Sequence, residues 1–169
     1  VGRFIPEKGL SIFLNKISHI VKDNDNYKFV LIGEGLEKEK LTALVKDHRL
    51  EDKIIFPGMF QADELYGWYA CASGFVLPSL FEPFGAVVNE ALIFGIPVLC
   101  SQFAGSSTLI QQSNGYLFNP LDYSDSISKF SLFMDKIPVV EKINLNNTPP
   151  LIEDHRSIFN KEWRKVSYE

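Results

Sequence analysis
Apolar residues gather in short runs, Phe29 to Ile32, Lys53 to Phe56, Gly74 to Leu77, Pro97 to Cys100 and Tyr116 to Phe118. Each is rich in the β-branched and aromatic side chains that suit a pleated surface. Between the runs lie longer segments of a different period. Leu10, Phe13, Leu14, Ile17, Ile20 and Val21 recur at spacings of three and four, which predicts a helix with one apolar stripe and a polar face carrying Lys16 and Lys22. Leu41, Leu44 and Val45 repeat the pattern. Alternation of the two kinds of segment predicts a parallel sheet with crossover helices. Because the strand runs are almost continuously apolar, the sheet is expected to be covered on both faces, giving an α/β, doubly wound fold. Such sheets bind ligands where the carboxyl ends of strands lead into helix N-termini.

The ends of the chain depart from this rhythm. Val1-Gly2-Arg3-Phe4 resembles the close of a first strand, whose start is cut away or lies in a missing partner. Residues 1–137 are expected to form the ligand-binding domain, 138–154 a linker containing Pro149-Pro150, and 155–169 a last helix. Neither an internal repeat nor a low-complexity tract is present.

Composition narrows the function. A length of 169 residues with 46% hydrophobic side chains suffices for one proper core. Seventeen basic against twenty-one acidic side chains give a net charge of −4, which creates no field favouring nucleic acid as a partner. Cys71 and Cys100 both lie in apolar stretches and are expected to be buried thiols, as suits a reducing, cytoplasmic setting. No secretory leader is visible, and no apolar run approaches the roughly 20 residues needed to span a bilayer.

The stretch FEPFGAVVNEA, Phe81 to Ala91, holds two glutamates eight positions apart with hardly another polar group between them. Glu82 falls in a loop and Glu90 inside an apolar helix. There an unpaired carboxylate costs several kcal/mol, so Glu90 should face a cavity or hold a partner. The first amides of that helix, around Gly85, Ala86 and Val87, have no intrahelical acceptor and lie at the positive end of its dipole, which suits a phosphate. A carboxylate can accept from both hydroxyls of a vicinal diol, such as a ribose, and Glu82 could serve a second sugar in the same way. The diphosphate of a sugar nucleotide also needs cations. Arg3 at the end of the first strand and Lys8 at the start of the following helix face the same edge, with Pro6 and Gly9 shaping the turn between them.

These residues resemble a family: the retaining, nucleotide-sugar-dependent glycosyltransferases of family 4, built from two Rossmann-like domains in the GT-B arrangement. GRFIPEKG, Gly2 to Gly9, is similar to that family's Arg and Lys segment, FVLIGEG to its second strand and glycine loop, and FEPFGAVVNEALIFGIPVL to its Glu-x7-Glu signature. NGYLFNP, Asn114 to Pro120, is similar to the segment that follows. The match is to the C-terminal, donor-binding half, and implies a missing N-terminal acceptor-binding domain. It implies that Arg3 and Lys8 contact the donor diphosphate and assist departure of the leaving group, that Glu82 contacts the transferred sugar, and that Glu90 holds the ribose. The Gly85 to Val87 amides, beside Phe84, would receive a phosphate. The base would pack near Gly33 and the Pro57 to Phe60 turn, including Met59 and Phe60. No metal or other cofactor is implied, and a role in polysaccharide biosynthesis would fit. Alone, the domain is expected to bind but scarcely catalyse. It would be cytoplasmic, reaching a membrane surface through the missing half.

Two segments depart from the family. The stretch beyond Asp122 is shorter and more broken than the family's usual helices, with Trp163 expected to mark the terminal helix that in the family crosses back to the other domain. Where an acidic residue usually follows a glycine pair, this chain has Ala104-Gly105-Ser106-Ser107-Thr108. Other readings remain beside the resemblance: half of a sugar-nucleotide epimerase, a noncatalytic nucleotide- or partner-binding module, and, more distantly, a nicotinamide-dependent oxidoreductase. Taken singly, Arg3 and Lys8 are ordinary surface cations. Gly33-Glu34-Gly35 lacks the third glycine of a dinucleotide fingerprint and reads as turn chemistry. Tyr66, Trp68 and Tyr69 read as packing residues, and His19, His48 and His155 as structural ones.

Overall fold
The structure, a computed structural model, describes residues 1–137. The expected linker, the terminal helix and Trp163 lie outside the described residues. Among the described residues five strands alternate with five α-helices: α1 (Leu10–Lys22), β1 (Phe29–Ile32), α2 (Lys38–Asp47), β2 (Ile54–Gly58), α3 (Ala62–Cys71), β3 (Phe75–Leu77), α4 (Ala86–Ile93), β4 (Val98–Ser101), β5 (Gly115–Phe118) and α5 (Tyr123–Lys136). Each expected strand is present within a residue or two of its predicted bounds, and every strand pair is parallel.

Helices cover both faces, as the continuous apolar strands require. One core collects Phe13, Leu14 and Ile17 of α1, Leu41 of α2, and Phe130 and Phe133 of α5. The other collects Tyr69 of α3, Val88 and Ala91 of α4, and Phe75 and Leu77 of β3. β4 is buried along its whole length and contributes to both, Leu99 to the first and Val98 and Cys100 to the second, as the alternation of side chains along a strand dictates. Cys71, expected to be buried, is only half-buried.

The described strands pair as two parallel groups, β1-β2 and β3-β4-β5, with helices on both faces as the expected α/β fold requires. Val1 to Phe4 runs alongside the carboxyl end of β1. There the Gly2 amide donates to the Ile32 carbonyl (2.9 Å) and the Phe4 amide to the Glu34 carbonyl (2.8 Å). The close approach explains the glycines of FVLIGEG. A Cβ on Gly33 would stand 1.8 Å from the Gly2 carbonyl oxygen, and one on Gly35 would stand 2.5 Å from that of Phe4. Among the described residues no helix is long and apolar enough to cross a membrane.

Candidate functional site
The carboxyl ends of the strands gather the predicted residues through backbone contacts. Ile5, extended as a residue before proline must be, leads into a tight turn over Pro6–Lys8 that Gly9 closes at φ 63°. The Glu7 carbonyl accepts from the Leu80 and Phe81 amides (2.8 and 3.2 Å). Gly9 presses against the chain beyond β3 so closely that a Cβ would lie 2.4 Å from the Pro78 oxygen. This seam sets Lys8 beside Glu82, and the Lys8 ammonium donates to Glu82 Oε2 as an ion pair. With side chains only 21% and 12% exposed, the pair is shielded from much of the screening that makes surface pairs worth little.

The loop bearing Glu82 is framed from its other side by the segment that departs from the family pattern. The Gly105 amide donates to the Glu82 carbonyl (2.8 Å), and Glu82 pairs with Ala104 in an isolated bridge. A Cβ at Gly105 would meet the Pro83 oxygen at 2.1 Å, and one at Gly85 would meet Ser106 Oγ at 2.3 Å. Ala104-Gly105-Ser106 therefore acts as the mould of the Glu82 loop. Thr108 lies exposed, its hydroxyl donating to the Gly105 carbonyl. Beneath the mould sits the buried Cys100 thiol, 3.9 Å from Ser106 Oγ. Burial pushes this thiol up to about 11, and the nearby Glu82 charge adds to the rise, against the opposing effect of the Ser106 contact.

Gly85, at φ 78°, opens α4, and no side chain caps the helix, so its first amides are available to an anion. Ala86 is exposed, Val87 is half-buried, and Phe84 stands 83% exposed beside them. Farther along the same helix, Glu90 has the partner its apolar setting demands. The buried Tyr69 of α3 donates its hydroxyl to Glu90 Oε2 (2.9 Å), while its ring stacks on Phe94. Burial first, and then this hydrogen bond, hold the Tyr69 phenol well above its usual range.

The remaining predicted residues are spread more widely. Arg3 is exposed and takes no part in the Lys8–Glu82 pair. Gly33 is buried under the first segment of the chain. Met59 is 75% exposed at the end of β2, and Phe60 packs its ring on Trp68 of α3. The structure thus joins Lys8, Glu82 and the start of α4 directly, with Glu90 farther along the same helix. Two contributors escape sequence reasoning. Tyr69 reads as a packing aromatic, although the demand for a partner to Glu90 was a signal pointing to one. Glu37, just ahead of α2, carries no motif in the sequence, yet it is buried, accepting from Ser11 Oγ (3.0 Å) and Lys40 Nζ (2.8 Å). Among the described residues no group of three His, Cys, Asp or Glu side chains gathers as a metal ion would require.

In sequence and in fold the chain is similar to known proteins. Residues 1–134 match the sequence profile of the glycosyl transferases group 1. The chain is 33% identical over 129 residues to MJ1607 of Methanocaldococcus jannaschii, named an uncharacterized glycosyltransferase, covering 76% of this chain and 33% of that protein. Its fold matches the crystal structure of the C-terminal domain of a glycosyl transferase group 1 family protein from Francisella tularensis, with a TM-score of 0.71 at 22% identity, over 96% of this chain and 83% of that one. It also matches HepE of Anabaena, solved in complex with UDP, with a TM-score of 0.66 at 22% identity, over 95% of this chain and 43% of that one. The chain spans about a third of the length of the first curated relative. It belongs to the glycosyl transferases group 1, and its fold is that of the Rossmann-like C-terminal domain of a GT-B glycosyltransferase.

Proposed function
We propose that this domain binds a nucleoside-diphosphate sugar and presents its anomeric carbon for transfer, with retention of configuration, to an acceptor held by a separate N-terminal half. The observation that supports it best is the seam joining Lys8, Glu82 and the uncapped start of α4 on one rim. A cation and free amides side by side suit a diphosphate, whose charge grows as the glycosidic bond breaks. Lys8, helped by the exposed Arg3, would meet that charge. Glu90, held by Tyr69, would accept the ribose hydroxyls, and Glu82 would accept hydroxyls of the transferred sugar. Met59, Phe60 and the backbone near Gly33 would border the base. Since these cations are side chains, no metal is needed for binding. That HepE was solved with UDP supports a uridine nucleotide as the first donor to try.

Calorimetric titration with nucleoside diphosphates and their sugar conjugates, with and without a chelator, tests this function. Saturable binding of at least one sugar nucleotide, unchanged by the chelator, is expected. Absence of binding across the panel would reject the proposal, and binding that vanishes with chelation would reject its metal-free part.

A further inference from the structure
Glu37 stands at the N-cap of α2, 6% exposed. Its carboxylate is satisfied on one oxygen alone. Oε1 accepts from the Ser11 hydroxyl (3.0 Å) and from Lys40 Nζ (2.8 Å), whereas Oε2 is buried with no hydrogen-bond partner among the described residues. The Lys40 side chain is 62% exposed, so its ion pair does little to offset the burial. An under-paired buried carboxylate is costly, and this one gives α2 no side-chain cap. The stability of α2 therefore supplies no reason for a glutamate here.

The contacts of Glu37 fall instead on both flanks of the turn that carries Lys8. Its amide donates to the Phe4 carbonyl (2.9 Å) ahead of that turn, and its carboxylate takes the hydroxyl of Ser11, in the first turn of α1, beyond it. Between the two anchors the chain runs through Ile5, the Pro6–Lys8 turn and Gly9. Glu37 is fixed in its own place by its carbonyl, which accepts the Leu41 amide (2.8 Å) as α2 begins. From the opposite side the Leu80 and Phe81 amides hold the Glu7 carbonyl. The turn is thus gripped from the β1 side by one side chain and from the β3 side by backbone.

We propose that Glu37 is a positioning residue for Lys8: by holding Phe4 and Ser11 together it fixes the turn between them, and with it the place where the ammonium meets a diphosphate. The consequence for binding rests on the donor reading, whereas the clamp itself needs no ligand. Reach is the variable to alter, since glutamine spans the distance to Ser11 and aspartate falls short.

Amide exchange without ligand reads the clamp. In Glu37→Asp and in Ser11→Ala the Lys8 and Gly9 amides, which bond to the Ile5 and Pro6 carbonyls, should exchange about tenfold faster, while amides within α2 such as that of Val45 keep their protection. Titration with uridine diphosphate reads the consequence. Both variants should bind about tenfold more weakly than the parent, yet neither should lose anything further in a Lys8→Ala background. Glu37→Gln should restore affinity to within about twofold, and Lys40→Ala should leave it unchanged. Ser11→Ala, which removes a single hydroxyl, decides the matter should Glu37→Asp fail to fold. Equal losses with and without Lys8, faster exchange spread through α2, or unaltered exchange at Lys8 and Gly9 would each overturn the proposal. If the parent chain binds no nucleotide, the donor reading fails and the exchange result still decides the clamp.

Discussion

The Tyr69 hydroxyl donates to Glu90 Oε2 across 2.9 Å, tying α3 to α4 at the carboxylate assigned to the ribose. Tyr69→Phe keeps the ring packing and removes the donor. A hydrogen bond to a charged group is worth about 1.5–3 kcal/mol, so nucleoside diphosphate affinity should fall roughly tenfold or more. Glu90→Ala should lose as much or more. Titration calorimetry on both variants checks this, and undiminished affinity in either one contradicts the ribose assignment.

Lys8 and Glu82 divide the work differently. Lys8→Ala removes a cation from the diphosphate and should weaken free nucleotide and sugar nucleotide alike. Glu82→Ala should leave free nucleotide binding nearly unchanged and reduce the preference for the conjugated sugar. The ratio of the two dissociation constants for each variant is the quantity to measure. A common loss in both variants would mean that the pair acts as one structural unit.

Gly33 is expected to be intolerant of any side chain. Its φ is 142°, and a Cβ would collide with the Gly2 oxygen. Gly33→Ala should destabilise the domain by about 2–4 kcal/mol, from backbone strain and overpacking together. Urea denaturation reads the loss directly, and a change under about 0.5 kcal/mol would show that the first segment does not press there in solution.

Stability should fall at alkaline pH for a nameable reason. The Cys100 thiol sits at about 11 when folded, against an ordinary value of 9.0. A raised value means the folded state resists thiolate formation, so its contribution is complete below 9.0 and is lost as pH rises through about 11. Cys100→Ala should therefore show a shallower decline than the parent across that window, measured as unfolding free energy against pH. Identical slopes would place the alkaline loss elsewhere, with the similarly raised Tyr69 the next group to test.

Much of this was legible in the amino-acid order. The run from Phe29 to Ile32 coincides with β1, and the stripe from Leu10 to Val21 with α1, because both are local patterns whose period reports burial. Glu82 and Glu90 stood out by context, but their partners did not. Lys8 reaches Glu82 only because the Glu7 carbonyl ties two distant loops together, and Tyr69 differs from any packing aromatic only by where its hydroxyl points. Ala104 to Ser106 looked like a loss of chemistry. Its small residues instead shape the loop, which no charge pattern announces.

β4 divides its side chains between two hydrophobic interiors, Leu99 in one, Val98 and Cys100 in the other. Neither layer can loosen without disturbing this shared partition, so the described domain should melt in one cooperative step. Ser101, at the end of the same strand, accepts the Ala104 amide through its carbonyl, which links the rim to that partition. Heating should therefore abolish ligand capture and the native core at the same temperature, with no intermediate in which a disordered rim surrounds an intact interior.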